Sequence, residues 1–72
     1  MTKIGEFLAK KSINRAAISR KTGISKTRLS ELSNNDSTKL KADELYLIAL
    51  AIEVNPGDLL EYVCGHMTLE KD

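Results

Sequence analysis

Two long cations, Lys26 and Arg28, follow Ser25 closely in the segment TGISKTRLSELSNND. Leu29 and Leu32 are three residues apart, and this spacing places both leucines on one face of a helix. Ser25 is a good N-cap for that helix, so the two cations would lie in its first turn. The free backbone N–H groups at a helix start favour a nearby phosphate. The segment therefore predicts a helix with one packed face and a start that can contact an anion.

A second short helix precedes this segment and ends at a glycine. Asn14 is a good N-cap for a helix over residues 14–21. Gly23 follows it, where a left-handed backbone ends the helix at no steric cost. Two short helices joined by a tight turn form a helix-turn-helix, and its second helix enters the major groove of DNA. We therefore predict a helix-turn-helix over about residues 14–33, a recognition helix over residues 25–33 and a positive φ at Gly23.

The rest of the chain is also helical in pattern. Apolar residues spaced i, i+3, i+4 from Ile4 indicate a first helix. Residues 42–54 are apolar on two sides, which is typical of a helix that is central to the core or shared with a second subunit. The stretch NPGDLLEYV begins a fifth helix, because asparagine caps it and proline takes the first helical position. No stretch alternates with the period of a strand. We predict an all-α domain over residues 1–63 and a C-terminal tail over residues 64–72.

Charge is divided unevenly along the 72 residues. Residues 1–28 hold eight cations and one acid, residues 29–72 hold three cations and nine acids, and the resulting charges of +7 and −6 give the net +1. This asymmetry suggests a basic face for a polyanion and an acidic, apolar face for something else. The N-terminus has no apolar run that could be a signal peptide or a membrane span, and a single cysteine fits a reducing compartment. We therefore expect a cytoplasmic protein.

The segments SINRAAISRKTGISKTRLSELSNND and ELYLIALAIEVNPGDLL together resemble the Cro and phage-repressor type of helix-turn-helix domain, the XRE family. Ile18 matches the apolar position of helix two, Ser19 the small residue that faces helix three, and Gly23 the turn glycine. The resemblance covers roughly residues 4–62. It implies a compact five-helix, lambda-repressor-like domain and a sequence-specific transcriptional regulator that binds double-stranded DNA.

A few positions depart from the family pattern. Asn35 takes the place of a frequent glycine after helix three, and we expect it to adopt the left-handed conformation instead. Glu53 replaces a frequent glycine at the end of helix four. Thr22 replaces an aliphatic residue, so its hydroxyl needs a hydrogen bond if it is buried.

The resemblance also implies roles for individual side chains. Lys26 and Thr27 take base-reading positions, where lysine can donate to guanine and the threonine methyl can pack on thymine. Ser30 or Glu31 would be a second reader one turn later, and Arg28 would reach a base or a phosphate. The predicted base-reading set is Lys26, Thr27, Arg28 and Ser30. The predicted phosphate contacts, which set register without reading sequence, are Asn14, Arg15, Ser25 and Asn34.

One helix-turn-helix contacts only a few base pairs, so useful specificity generally needs two half-sites. We therefore expect a homodimer on DNA. The surface predicted for the two-fold contact combines the second apolar side of the fourth helix with apolar residues of the fifth: Leu47, Leu50, Ala51, Val54, Leu59, Leu60, Tyr62 and Val63.

Other kinds of site have little support in the sequence. Cys64 and His66 are too few ligands for a structural zinc site, and the four glycines are too scattered for a phosphate loop. Phe7 and Tyr46 lie in apolar helical patterns typical of core residues, which argues against stacking on single strands. We expect no catalysis, cofactor, metal, membrane partner or small-molecule ligand. The alternative function is an antitoxin-like or other protein-interaction module that uses the acidic, apolar C-terminal half.

Overall fold

Five α-helices make up the fold in a computed structural model that describes residues 1–70. They are α1 Lys3–Lys10, α2 Arg15–Thr22, α3 Lys26–Asn34, α4 Ala42–Ala51 and α5 Pro56–Cys64. No residue within this described part lies in a β-strand, and the predicted all-α, five-helix architecture is confirmed. The predicted fourth helix, 42–54, was three residues too long. Of the predicted tail, the final two residues, Lys71 and Asp72, lie outside the described residues.

Side-chain caps at the starts of three helices agree with those expected from the sequence. Asn14 Oδ1 accepts a hydrogen bond from the Ala16 N–H at 2.7 Å, and Ser25 Oγ accepts one from the Arg28 N–H at 3.1 Å. Asn55 Oδ1 accepts a hydrogen bond from the N–H of Gly57, the second residue of α5, at 2.7 Å. Each oxygen satisfies one backbone donor that the helix itself leaves free. The helix starts are therefore encoded locally.

The helix ends agree with the sequence predictions less uniformly. Gly23 has φ 81°, which confirms the left-handed turn between α2 and α3. Asn35 has φ −109°, so the expected left-handed conformation is wrong. Its Oδ1 instead accepts hydrogen bonds from the Ser37 N–H at 3.0 Å and the Ser37 hydroxyl at 2.7 Å. This side-chain turn lets the chain leave α3 in an extended conformation.

Two other helix ends place non-glycine residues in the left-handed region. Glu53 has φ 59° after α4, and Ser12 has φ 54° after α1. At α4 the Glu53 N–H donates to Leu50 at 3.3 Å, and the next N–H donates to Ala49 at 2.9 Å. This pair of hydrogen bonds forms a Schellman ending. It reverses the chain directly after Ala51, which is why α4 is shorter than its apolar pattern.

The core is a single cluster to which every helix contributes. Its buried apolar residues are Ile4, Leu8, Ile18, Leu29, Leu32, Leu45, Ile48, Ala49 and Leu59. Phe7 is half-buried, with its ring centroid 5.1 Å from that of Tyr62. Tyr46 is 53% exposed, so its predicted core position is wrong. Leu45 and Ile48 occupy the inward face of α4, and Tyr46 consequently faces outward.

The first helix fixes the C-terminal end of α3. The Thr2 hydroxyl donates to the Leu32 carbonyl at 2.6 Å and accepts from the Gly5 N–H at 3.0 Å, so one side chain caps α1 and joins it to α3. The Thr2 N–H donates to the Ser33 carbonyl at 2.9 Å. Gly5 lies so close to that carbonyl that a Cβ would overlap it. Because α1 contacts backbone atoms of α3, it sets the position of α3 directly.

Candidate nucleic-acid interface

A shallow surface depression runs along the outer face of α3. It is lined by Arg15, Lys26, Thr27, Ser30, Glu31 and Asn34. Leu29, Leu32 and Ser33 lie on the opposite, buried face of the helix. The structure thus brings together five of the eight side chains predicted to contact DNA, from α2 and from two turns of α3. Four of the five are exposed, and Ser30 is half-buried.

The turn that precedes α3 is held by a threonine. The Thr22 hydroxyl donates to the Ile18 carbonyl at 2.7 Å and accepts from the Ile24 N–H at 3.1 Å. This satisfies the hydrogen-bonding need expected for a half-buried hydroxyl. The same bonds connect the last turn of α2 to the chain that enters α3, so Thr22 helps to orient α3.

Asn14 and Ser25 occupy the starts of α2 and α3 and do not line the depression. Both side chains are exposed, and their oxygens accept the capping hydrogen bonds described above. The Asn14 amide nitrogen and the Ser25 hydroxyl hydrogen are still donors in that arrangement. Each residue can therefore cap its helix and offer a donor to an anion in solution.

Arg28 points toward α4. Its Nε donates to Glu44 Oε2 at 2.8 Å, and its Nη2 donates to Glu44 Oε1 at 3.0 Å. Nη2 also donates to the Lys39 carbonyl at 2.9 Å. This bidentate geometry is the strongest form of an arginine–carboxylate pair. The predicted base contact of Arg28 therefore competes with three hydrogen bonds inside the protein.

Glu44 was not identified as important from the sequence. Besides pairing with Arg28, its carboxylate accepts a hydrogen bond from the Lys41 N–H at 3.0 Å, at the start of α4. The Arg28 hydrogen bond lowers the pKa of Glu44, with help from the Lys41 N–H and against the opposing effect of burial. The same bond raises the pKa of Arg28. A glutamate at the third position of a helix is a usual capping signal, but here lysine precedes the helix in place of serine or threonine.

The basic half of the sequence does not form one surface around α3. The ammonium groups of Lys3 and Lys10 lie 6.0 and 5.4 Å from the centre of the Tyr62 ring. Lys11 lies 5.7 Å from the centre of the Phe7 ring. These cations stack over aromatic rings where α1 meets α5. The single basic face expected from the charge asymmetry is thus divided, and Arg28 is neutralised by Glu44.

The arrangement of two short helices, a left-handed glycine turn and a polar outer face on α3 defines a helix-turn-helix DNA-binding domain. The profile of the Cro/C1-type HTH DNA-binding domain matches residues 3–65. The chain belongs to this family, as its sequence resemblance indicated. It is a DNA-binding protein of the transcription-regulator type.

A curated relative from Bacillus subtilis (strain 168), the uncharacterized HTH-type transcriptional regulator YozG, is similar over most of the chain. The two sequences are 36% identical over 59 residues, which is 82% of this chain and 70% of the relative. No solved structure matches the chain significantly. The family is described as DNA-binding, and the relative is named as a transcriptional regulator.

No helix within residues 1–70 has both the length and the apolar character needed to cross a membrane. No group of three or more histidine, cysteine, aspartate or glutamate side chains in the same residues could hold a metal ion.

Proposed function

We propose that the protein is a transcriptional regulator that reads a specific duplex sequence with α3 in the major groove. The observation that carries this proposal is the depression on α3, where first-turn side chains meet Arg15 of α2 and Asn34 of the last turn. Helix-turn-helix domains place the start of the second helix against base edges. A regulator of this kind acts where the chromosome is, so we place the protein in the cytoplasm.

Lys26, Thr27 and Ser30 are the proposed base-reading residues. Lys26 can donate to guanine O6 and N7, and the Thr27 methyl can pack against a thymine methyl. Ser30 lies one turn further along the same depression and can donate to or accept from a base. All three belong to the outer face of α3, so they would reach neighbouring base pairs.

The proposed phosphate contacts are Asn14 and Arg15, at the start of α2, and Ser25 and Asn34, at the two ends of α3. Contacts of this kind fix the orientation of a recognition helix on the duplex. Arg28 is left out of the proposed base-reading set. Its Nε and Nη2 groups are directed at the largely buried Glu44, and a base contact through either would cost a carboxylate hydrogen bond.

We also propose that the protein binds DNA as a homodimer, because two half-sites give the specificity that one recognition helix lacks. The surface expected for the contact is smaller than the sequence suggested, since Leu59 is fully buried and Tyr62 packs on Phe7. The large apolar side chains that are exposed on α4 and α5 are Tyr46, Leu47, Leu50 and Leu60. These four define the proposed dimer face.

Selection of binding sites from a random duplex pool tests the proposal. We expect enrichment of an inverted repeat whose half-sites lie about 10 bp apart from centre to centre. A salt titration on random duplex DNA should accompany it, because phosphate contacts make affinity fall steeply with salt. Enrichment of no sequence, together with affinity that hardly responds to salt, would favour the protein-interaction alternative.

A further inference from the structure

An apolar groove of about 600 Å³ lies on the side of α4 and α5, away from the α3 depression. Its lining includes Leu40, Leu45 and Val63, together with the 51%-exposed Leu60. The groove extends over α1 and the loop between α3 and α4. It is therefore a largely apolar surface built from several parts of the fold, and Leu60 connects it to the proposed dimer face.

The chain after α5 begins at one end of this groove and then leaves it. His66 and Met67 line the groove, but Met67 is 68% exposed and Leu69 is 96% exposed. Residues 67–70 have no regular secondary structure. In an extended segment, residues two apart project to the same side, so Met67 and Leu69 can enter an apolar groove together while Thr68 faces outward. We call residues 66–70 the arm.

The rim of the groove and the arm have complementary charges. Lys3, Lys39 and Lys41 line the groove with a single acid, Asp36. Glu70 lies next to Leu69 in the arm, so an arm seated in a groove would bring its carboxylate toward an excess of ammonium groups. Pairs at such an exposed rim contribute little free energy but favour the correct orientation.

We propose that two copies of the chain exchange arms, with Met67 and Leu69 of each seated in the groove of the other. The proposal rests on the homodimer inferred above and specifies how it is held together. A specific protein interface usually needs about 800 Å² per partner. Four exposed apolar side chains make a small face, and reciprocal arms would extend it across both grooves. Since Leu60 belongs to both surfaces, contact through α5 would bring each arm toward the partner's groove.

Paramagnetic relaxation measured between chains tests this placement. A Cys64→Ser, Thr68→Cys chain carries a nitroxide at residue 68, which keeps both apolar anchors of the arm. It is mixed with ¹⁵N-labelled parent chain at concentrations where sedimentation reports a dimer. We expect broadening of the Leu40 and Leu45 amides in the ¹⁵N-labelled chain, with the Gly23 amide unaffected.

Substitution of the anchor gives the second measurement. Leu69→Asp should weaken dimerisation about tenfold or more, since burying a leucine contributes at least that factor to a binding constant. Thr68→Asp adds the same charge one residue earlier, on the outward side of the arm, and should change the dimerisation constant by less than threefold. Both variants keep α3, so the salt dependence of non-specific duplex binding by each subunit should match the parent.

The possible failures are distinguishable. A dimer without intermolecular broadening at the groove would overturn arm exchange while leaving the homodimer intact. Broadening of the Leu40 and Leu45 amides only in a ¹⁵N-labelled chain that itself carries the nitroxide, and not in ¹⁵N-labelled parent chain, would show that the arm folds onto its own groove, which also contradicts the proposal. If Leu69→Asp and Thr68→Asp weaken dimerisation equally, the added charge alone explains the effect, and the seating of Leu69 in the groove is contradicted. A monomer under all conditions, including on its selected DNA site, would contradict both the arm and the homodimer.

Discussion

Lys26 and Arg15 line the same depression beside α3, yet we expect them to contribute to DNA binding in different ways. Lys26→Ala should lower affinity for the preferred site by about 1–3 kcal/mol and relax the preference at one position of each half-site. Arg15→Ala should weaken binding to all duplexes about equally and reduce the salt slope by about one unit per subunit. Binding constants on selected, mutated and random duplexes measure both effects.

The comparison includes its own control, because both substitutions remove one positive charge. A general loss of affinity is therefore expected from each, and the specificity ratio separates them. Unchanged site preferences at every position in Lys26→Ala would make this lysine another phosphate contact. Base reading would then be assigned to Thr27 and Ser30, which line the same depression.

Glu53 occupies a backbone conformation that glycine adopts more easily, with φ 59° after the end of α4. Glu53→Gly should relieve steric strain and raise the stability by about 0.5–1 kcal/mol, partly offset by the entropy of glycine in the unfolded chain. In a domain of this size that corresponds to about 2–8 °C in melting temperature. Glu53→Ala, which removes the charge but keeps the Cβ, should show no such gain in the same thermal denaturation.

At the scale of helices, the contact between α1 and α3 is closest at Gly5, where a Cβ would overlap the Ser33 carbonyl. Gly5→Ala should therefore destabilise the fold by about 1–3 kcal/mol, although alanine is the better helix former. The melting temperature measures this loss. Gly57→Ala is the control, since its nearest neighbour, at 3.0 Å, is the exposed Asn55 side chain. A loss at Gly57 as large as that at Gly5 would contradict close helix packing as the cause.

The ion pair between α3 and α4 should make stability depend on pH. Folding lowers the pKa of Glu44 below its ordinary value of 4.5, chiefly through the Arg28 hydrogen bond. The stabilisation is thus fully present above pH 4.5 and is lost as the pH falls through the lowered pKa. Melting temperatures between about pH 6 and pH 3 should fall more steeply for the parent than for Glu44→Gln, which cannot titrate. Parallel curves for the two proteins would show that Glu44 is not responsible.

At the scale of the whole molecule, we expect affinity for an inverted repeat to depend on dimerisation through the exposed face of α4. Leu50 is 53% exposed, and Leu50→Asp should prevent dimerisation while the core remains intact. Affinity for a complete inverted repeat should then fall to nearly that for a single half-site, as measured by sedimentation and by DNA binding. Glu61→Gln, at an exposed position of α5, should leave the dimer unchanged. A Leu50→Asp protein that still dimerises would place the contact elsewhere.

Much of this fold was predictable because its determinants are local in the sequence. Asn14, Ser25 and Asn55 cap the helices that follow them, and Gly23 turns the chain between α2 and α3. Each of these features depends on residues only a few positions apart, so it can be recognised without knowing the tertiary structure. The apolar spacing of Leu29 and Leu32 likewise determined which face of α3 is buried.

The tertiary structure decided the features that depend on distant residues. Arg28 and Glu44 are sixteen positions apart, and only the packing of α4 beside α3 brings the carboxylate to the guanidinium. Thr2 and Gly5 contact backbone atoms of Leu32 and Ser33, about thirty positions away. Apolar periodicity predicted that both sides of α4 would be used but not which side would face the core. Such contacts depend on the three-dimensional arrangement of the helices, since no local pattern encodes the partner of a side chain on another helix.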